Sequence, residues 1–255
     1  MPPVTTRSKT DAPRLSRPAR VAEAIKDWIV QQHFGAGDRL PSEPDLIERF
    51  GMAKGTIREA MRILEAQGLV KSRTGPGGGT FVHEVSKERA RALLGNYFYF
   101  QSLTVKDIYQ LRRVLEPELA ASLAGSLSDD VLEQLEAIVG QYSEPARTLD
   151  EEREQHVASL RFHALLAEQS DNALLGFLID FMANMLSDLT VYRKLYSPPN
   201  IELWKRGRAF QLELIHALRV GDPDTARLIM RDHMETAQAL METQEAEMQR
   251  RFISE

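Results

Sequence analysis

The sequence predicts a mainly α protein: an N-terminal winged helix-turn-helix, with three helices plus a β-hairpin wing, followed by an all-α helical bundle. Three observations lead there. Apolar residues recur at helical spacing in three short segments before Gly68. A glycine-rich stretch then separates two short strand-like runs. From Thr104 onward every segment reads as amphipathic helix, with no convincing strand.

In the N-terminal part, Val21, Ala24, Ile25, Trp28 and Ile29 mark a first helix from Ala19 to about Gln32. It stops near Phe34-Gly35, ahead of a Gly37-Asp38 turn. Ser42 reads as the N-cap of a second helix, with Pro44 tolerated in its first turn and Asp45 at the third helical position. Leu46, Ile47 and Phe50 form the inward face of that helix, and Gly51 supplies a tight turn. A third helix runs from about Lys54 to Gln67 and buries Ile57, Ala60, Met61 and Leu64. Beyond Gly68, the runs from Leu69 to Arg73 and from Thr80 to His83 are strands, joined by Thr74-Gly75-Pro76-Gly77-Gly78-Gly79. This domain spans residues 19–83, preceded by a disordered basic arm over 1–18.

Residues 84–103 are a connector, partly helical around Lys87–Tyr97. The helical domain covers 104–245, with helices at about 104–125, 128–143, 148–170, 171–195, 200–220 and 222–250, and a C-terminal tail over 246–255. Breaks fall at Gly125-Ser126, Pro145, Asp171-Asn172, Pro198-Pro199 and Gly221-Asp222-Pro223. Six such helices make a bundle with one interior.

Composition narrows the function classes. A chain of 255 residues suits two modest domains, and 43% hydrophobic with 27% charged residues is ordinary for a soluble globular protein. No run of about 18 apolar residues suggests a membrane partner, and the N-terminus lacks the apolar segment of a secretory signal. A cytoplasmic location is the expectation. Cysteine is absent, which removes disulfides and thiolate zinc sites. The net charge of −5 divides unevenly: residues 1–85 carry 13 Lys/Arg against 10 Asp/Glu, and residues 86–255 carry 19 against 27. Within the first half the basic residues cluster, with Lys54, Arg58, Arg62, Lys71 and Arg73 facing only Glu59 and Glu65 over 54–73. Phosphate attraction is screened over about 10 Å, so this local cluster outweighs the overall sum.

In a winged helix-turn-helix, the N-terminal side chains of the recognition helix meet base edges in the major groove of double-stranded DNA. Lys54, Thr56 and Arg58 occupy those positions: a long donor, a hydroxyl and a fork suited to guanine or phosphate. Arg62, one turn on, suits backbone phosphate. In the wing, Gly77 and Gly78 lack bulk and offer backbone N–H groups to phosphate or the minor groove.

The run Leu40-Pro41-Ser42-Glu43, then Gly51, Thr56, Arg58-Glu59-Ala60 and Leu64-Glu65-Ala66-Gln67-Gly68-Leu69, resembles the GntR family of winged-helix regulators over about residues 19–83. There are two departures. The family often has a phosphate-contacting Arg in the second helix where this chain has Pro44, followed by Asp45, and Lys54 stands where an Arg is common. Further on, Asp107-Ile108-Tyr109-Gln110-Leu111-Arg112-Arg113-Val114-Leu115-Glu116-Pro117 resembles the first helix of the FCD domain, the mark of the FadR-like subgroup. Phe162-His163, Asn172, Ala217 to Asp222 and Met230-Arg231-Asp232-His233 extend that resemblance over about 104–245.

The resemblance implies a dimer on a pseudo-palindromic operator, repression controlled by an effector in the helical domain, and often a divalent metal held by one Asp and three His. Of those four ligand positions, His163 and His233 are present, while Ser159 and Gln211 replace the Asp and the middle His. Two imidazoles, a hydroxyl and an amide make a poor site for zinc, nickel or manganese. A metal-free cavity is therefore expected. The alternatives are a rearranged site using His156, His163 and His233, or one completed by the carboxylate of the ligand. His216 lies about 140° round its helix from Gln211 and points elsewhere.

Arg112 occupies the position of a cavity arginine in FCD proteins, and a buried guanidinium needs an anion. With Ser159, His163, Gln211 and His233 it would form a pocket of donors without carboxylates, suited to a small organic acid. The plainer role for Arg112 is an ion pair with Glu116, one turn on, and for His163 and His233 that of hydrogen-bonded core histidines. Tyr109, Phe177, Phe181, Tyr192 and Trp204 could line such a pocket or be ordinary core. An enzyme is the competing class, but the chain has no carboxylate pair and no phosphate loop of the Gly-Lys-Ser type. A structural DNA-binding protein without an effector is the third.

Overall fold

The computed structural model describes residues 15–101 and 103–254, so most of the basic arm lies outside the described residues. The chain divides into two compact units, 1–90 and 91–255.

In the first unit, α1 (Arg17–Gln31) is capped by Ser16, whose hydroxyl accepts from the Ala19 N–H. Its Val21, Ala22, Ile25, Trp28 and Ile29 share one core with Leu46 of α2 (Glu43–Phe50) and with Ile57, Ala60 and Leu64 of α3 (Lys54–Gln67). Asp45 accepts from both the N–H and the hydroxyl of Ser42, at 2.9 and 2.6 Å, which fixes the start of α2. Strands β1 (Val70–Arg73) and β2 (Gly79–Val82) pair antiparallel, with Val70 opposite Val82 and Arg73 opposite Gly79. The hairpin is not alone. Leu40 N–H donates to the Thr80 carbonyl and Val82 N–H to the Asp38 carbonyl, both at 2.8 Å, so residues 38–40 form a third edge.

The connector contains α4 (Lys87–Tyr99), on whose residues the division into units falls. In the first unit, Arg89 donates to the Ala66 carbonyl at 2.6 Å; in the second, Arg91 pairs with Asp180 at 3.2 Å.

The second unit is a helical bundle of α5 (Val105–Leu123), α6 (Asp129–Gly140), α7 (Leu149–Glu168), α8 (Ala173–Tyr192), α9 (Ile201–Val220) and α10 (Pro223–Ser254). Polar caps set the starts: Thr104, Ser128, Thr148, Asn172 and Asn200 each accept from a first-turn N–H. Helix α10 packs along α5 and α9, while α7 packs on α8. The expected tail is helix instead. Met234, Ala237, Met241, Gln244 and Met248 are buried at alternating spacings of three and four, so the apolar seam that holds α10 continues past residue 245.

By length and composition alone helix α8 could cross a membrane, the one such helix among the described residues. Its Ile179, Met182 and Leu186 are buried in the bundle core, and it carries Asp180, Asn184 and Asp188.

The first turn of α8 admits no side chain at Gly176, since a Cβ there would stand 2.5 Å from the Ala167 carbonyl oxygen of α7. Gly176→Ala is expected to cost about 1–3 kcal/mol through forced displacement of α8. Denaturant unfolding measures it, and an unchanged midpoint would show that the two helices separate freely.

Candidate functional site

The structure brings the expected DNA-reading residues onto the exposed start of α3. Glu43 of α2 stands between two of them: its carboxylate accepts from Arg58 Nε at 2.8 Å and lies 3.7 Å from Lys54 Nζ. The hydrogen bond from Arg58 holds the Glu43 carboxyl below the ordinary carboxylate range. Thr56 is half-buried, and exposed Arg62 pairs with Glu59 at 3.3 Å. These ion pairs are in water and worth little, so phosphate can displace them.

The wing is more ordered than a free donor loop. Gly75-Pro76-Gly77-Gly78 is closed by the Gly78 N–H donating to the Gly75 carbonyl at 2.8 Å, with Gly77 at φ 77°. This is the pattern of a type II turn, with Pro second and a left-handed Gly third. The Gly78 N–H is therefore consumed inside the turn, contrary to expectation. Gly77 remains open, with nothing within 4 Å of a Cβ position. Arg39, which the sequence reading passed over, donates to the Gly78 carbonyl at 2.7 Å and supports the wing from the side.

In the second unit a small cavity of about 60 Å³ is lined by residues of α5, α7, α9 and α10 and by Tyr142. Arg112, Ser159, His156, His163 and His233 all line it, as do Tyr109 and Trp204. Gln211 does not. It is fully buried beside the cavity, accepting from the Tyr142 hydroxyl at 2.7 Å and donating to the Ser159 hydroxyl at 3.2 Å. Phe177, Phe181 and Tyr192 are not among the lining residues, and His216 is exposed.

The pocket without carboxylates is overturned, since Glu152 lines it, and a second buried carboxylate holds two of the lining residues. Glu116, 1% exposed, pairs with Arg112 Nε through one oxygen and with His163 Nδ1 through the other, the latter at 2.5 Å. Burial alone would raise the Glu116 carboxyl, but the charge of Arg112, with the hydrogen bonds from His163 and Arg112, outweighs it and holds it at about 2. Burial pushes His163 and His233 below the usual imidazole range despite Glu116, and burial with the Arg112 charge takes His156 down to about 4. All three imidazoles are then neutral near pH 7. The His163 Nδ1–H donates to Glu116, leaving its Nε2 as an acceptor. His233 Nε2, 3.3 Å away, must carry the proton between them. Arg112 keeps one guanidinium nitrogen, Nη2, buried with no hydrogen-bond partner.

The implied metal does not fit this donor set. The two facing imidazole nitrogens share one proton, Ser159 is engaged by Gln211, and Glu116 is occupied on both oxygens. Among the described residues no group of three or more His, Asp or Glu side chains has a metal-holding arrangement, so His156 does not complete the pair.

Residues 18–82 match the family described as bacterial regulatory proteins of the gntR family, and residues 107–236 match the FCD domain. The Exu regulon transcriptional regulator of Escherichia coli is 25% identical over 223 residues, which cover 87% of this chain and 83% of that protein. The HTH-type transcriptional repressor NanR of Enterobacter is 26% identical over 234 residues, covering 86% and 83%. A solved GntR structure from Streptococcus agalactiae superposes with a TM-score of 0.58 at 23% identity, over 87% of this chain and 99% of that one, which shows the shared fold. With a winged helix-turn-helix in the first unit and an FCD domain in the second, the chain belongs to the GntR family, FadR-like group, as a DNA-binding transcriptional regulator and not an enzyme.

Proposed function

We propose that this regulator is a cytoplasmic homodimeric repressor whose affinity for a pseudo-palindromic operator is set by a small organic acid bound in the cavity of the helical domain, without a metal. The observation that carries this reading is Arg112: fully buried on the cavity wall, with Nη2 unpartnered while Nε is held by Glu116. A buried donor left unmade costs roughly 1–3 kcal/mol, and a carboxylate would recover it as a charge-assisted hydrogen bond. Neutral His163 and His233 line the same cavity. Lys54, Thr56, Arg58 and Arg62 read the operator from the start of α3, with the wing at Gly77 on the adjacent backbone.

The acid acts only to the extent that it binds one arrangement of the chain better than another. Residues 84–103, with α4 inside them, carry that difference along the chain toward the first unit.

One titration tests the reading. Full-length protein treated with chelator is challenged with a series of three- to six-carbon carboxylates, reading thermal midpoint and release of labelled operator. A midpoint raised by at least one acid, with operator release at the same concentrations, is expected with or without chelator. Binding that disappears on chelation and returns with zinc or manganese would replace it with the metal-dependent alternative.

A further inference from the structure

Helix α10 runs past residue 236, where the match to the FCD domain ends, and two consecutive residues of that extra length grip different parts of the second unit. Gln244 is buried in the apolar seam of Met241 and Met248. A leucine would fill that position as well, so packing alone does not call for an amide. What the amide adds is a donor and an acceptor, and both are used. Its Nε2 donates to the Pro198 carbonyl at 2.7 Å, and its Oε1 accepts from Asn200 Nδ2 at 3.4 Å. Glu245, the next residue, pairs with Arg193 at the C-terminal cap of α8.

Each grip leads further. Asn200 caps α9 through its Oδ1, which accepts the Leu203 N–H at 2.9 Å, while its own backbone N–H donates to Glu152 Oε1 at 3.0 Å. Glu152 lines the cavity from α7. On the other side, Arg193 Nη2 donates to the Leu103 carbonyl at 2.9 Å. Leu103 is the last residue of the connector and directly precedes Thr104, the cap of α5. A continuous chain of polar contacts therefore joins the cavity wall to the end of the connector, passing from Glu152 through Asn200, Gln244, Glu245 and Arg193 to Leu103. Its middle step is covalent: neighbours on a rigid helix cannot shift independently.

Taking the cavity as the seat of the effector, we propose that Gln244 and Glu245 are positioning residues that transmit its occupancy to the connector. An effector that displaces Glu152 releases the Asn200 N–H, and the start of α9 loosens its hold on Gln244. The same turn of α10 then moves Glu245, and Arg193 slackens its grip on Leu103. Such a chain carries coupling only if a disturbance at one end is felt at the other.

Hydrogen–deuterium exchange on the full-length protein, with neither acid nor DNA present, tests this; its failure would leave the acid-sensor reading standing. Glu152→Ala removes the acceptor of the Asn200 N–H. It is expected to speed amide exchange about threefold or more at residues 200–204 and, remotely, at residues 103–108. Glu152→Gln keeps the accepting oxygen and should leave both segments at parent rates. In a Glu245→Ala or a Gln244→Leu background, Glu152→Ala should still loosen 200–204 but add nothing at 103–108. Arg193 and Glu245 are partly exposed, so water takes up the charge that Glu245→Ala leaves behind. Helix α6 lies outside the chain of contacts and serves as the reference. Speeding there to the same degree would reduce the effect to general stability and overturn the assignment. So would a remote response that persists in both backgrounds, or none at 103–108 in the single variant.

Discussion

Glu116→Leu is expected to cost about 3–5 kcal/mol of stability, because it leaves the Arg112 guanidinium in the bundle interior without a counter-charge. The Glu116 carboxylate serves two partners at once, so its loss also removes the acceptor for His163 Nδ1–H. Removing both charges should behave differently. In Arg112→Met/Glu116→Leu no buried charge is stranded, and stability is expected within about 1–2 kcal/mol of the parent. That double variant should nonetheless fail to bind any carboxylate. Denaturant unfolding and calorimetry on the same preparations separate the two effects. If the single variant were as stable as the parent, the pair would contribute nothing to the bundle and Arg112 would not be confined as described.

For DNA, the largest effect is expected from Arg58→Ala. A well-placed fork on a guanine edge is worth about 1–3 kcal/mol at each half-site, so loss at two half-sites removes specific binding at physiological salt. Arg58 is exposed and its hydrogen-bond and ion-pair partner among the described residues is Glu43, itself at the surface, so the thermal midpoint and the affinity for carboxylates should both stay put. Lysine at this position would restore the charge but not the planar fork, and should recover weak, salt-sensitive binding without sequence preference. Gel shift across a range of salt concentrations reads both. Operator affinity that survived Arg58→Ala would remove the start of α3 from the major groove.

The fold was largely legible because its punctuation is local. Ser42 with Asp45, Thr104 with Asp107, and Asn172 and Asn200 ahead of apolar runs are caps whose partners lie within three residues. The end of α10 was misplaced because charged residues crowd the last turns, and only the three-four spacing of Met241, Gln244 and Met248 shows that one face still packs. At the cavity, the pairing of Arg112 with Glu116 could be read from their spacing of four. That His163, 47 residues away, closes on the same carboxylate could not. Nor could Tyr142, Gln155 or Arg208, which carry no motif and reach the cavity only through the crossing of helices. Arg39 escaped for the same reason: it lies in a loop, and its partner is a backbone carbonyl 39 residues on.

The chain contains two tryptophans, and the fold puts one in each unit. Trp28 sits in the first core, with Phe34 and Phe50 beside it and Arg49 over its ring. Trp204 lines the cavity and is anchored by its Nε1–H on the Tyr142 carbonyl at 2.9 Å. Each domain thus holds its own intrinsic fluorophore. With Trp28 replaced by Phe, emission from Trp204 follows occupancy of the cavity; with Trp204 replaced, emission from Trp28 follows only what reaches the DNA-binding half. The two halves of the regulatory event can be timed separately in an unlabelled protein.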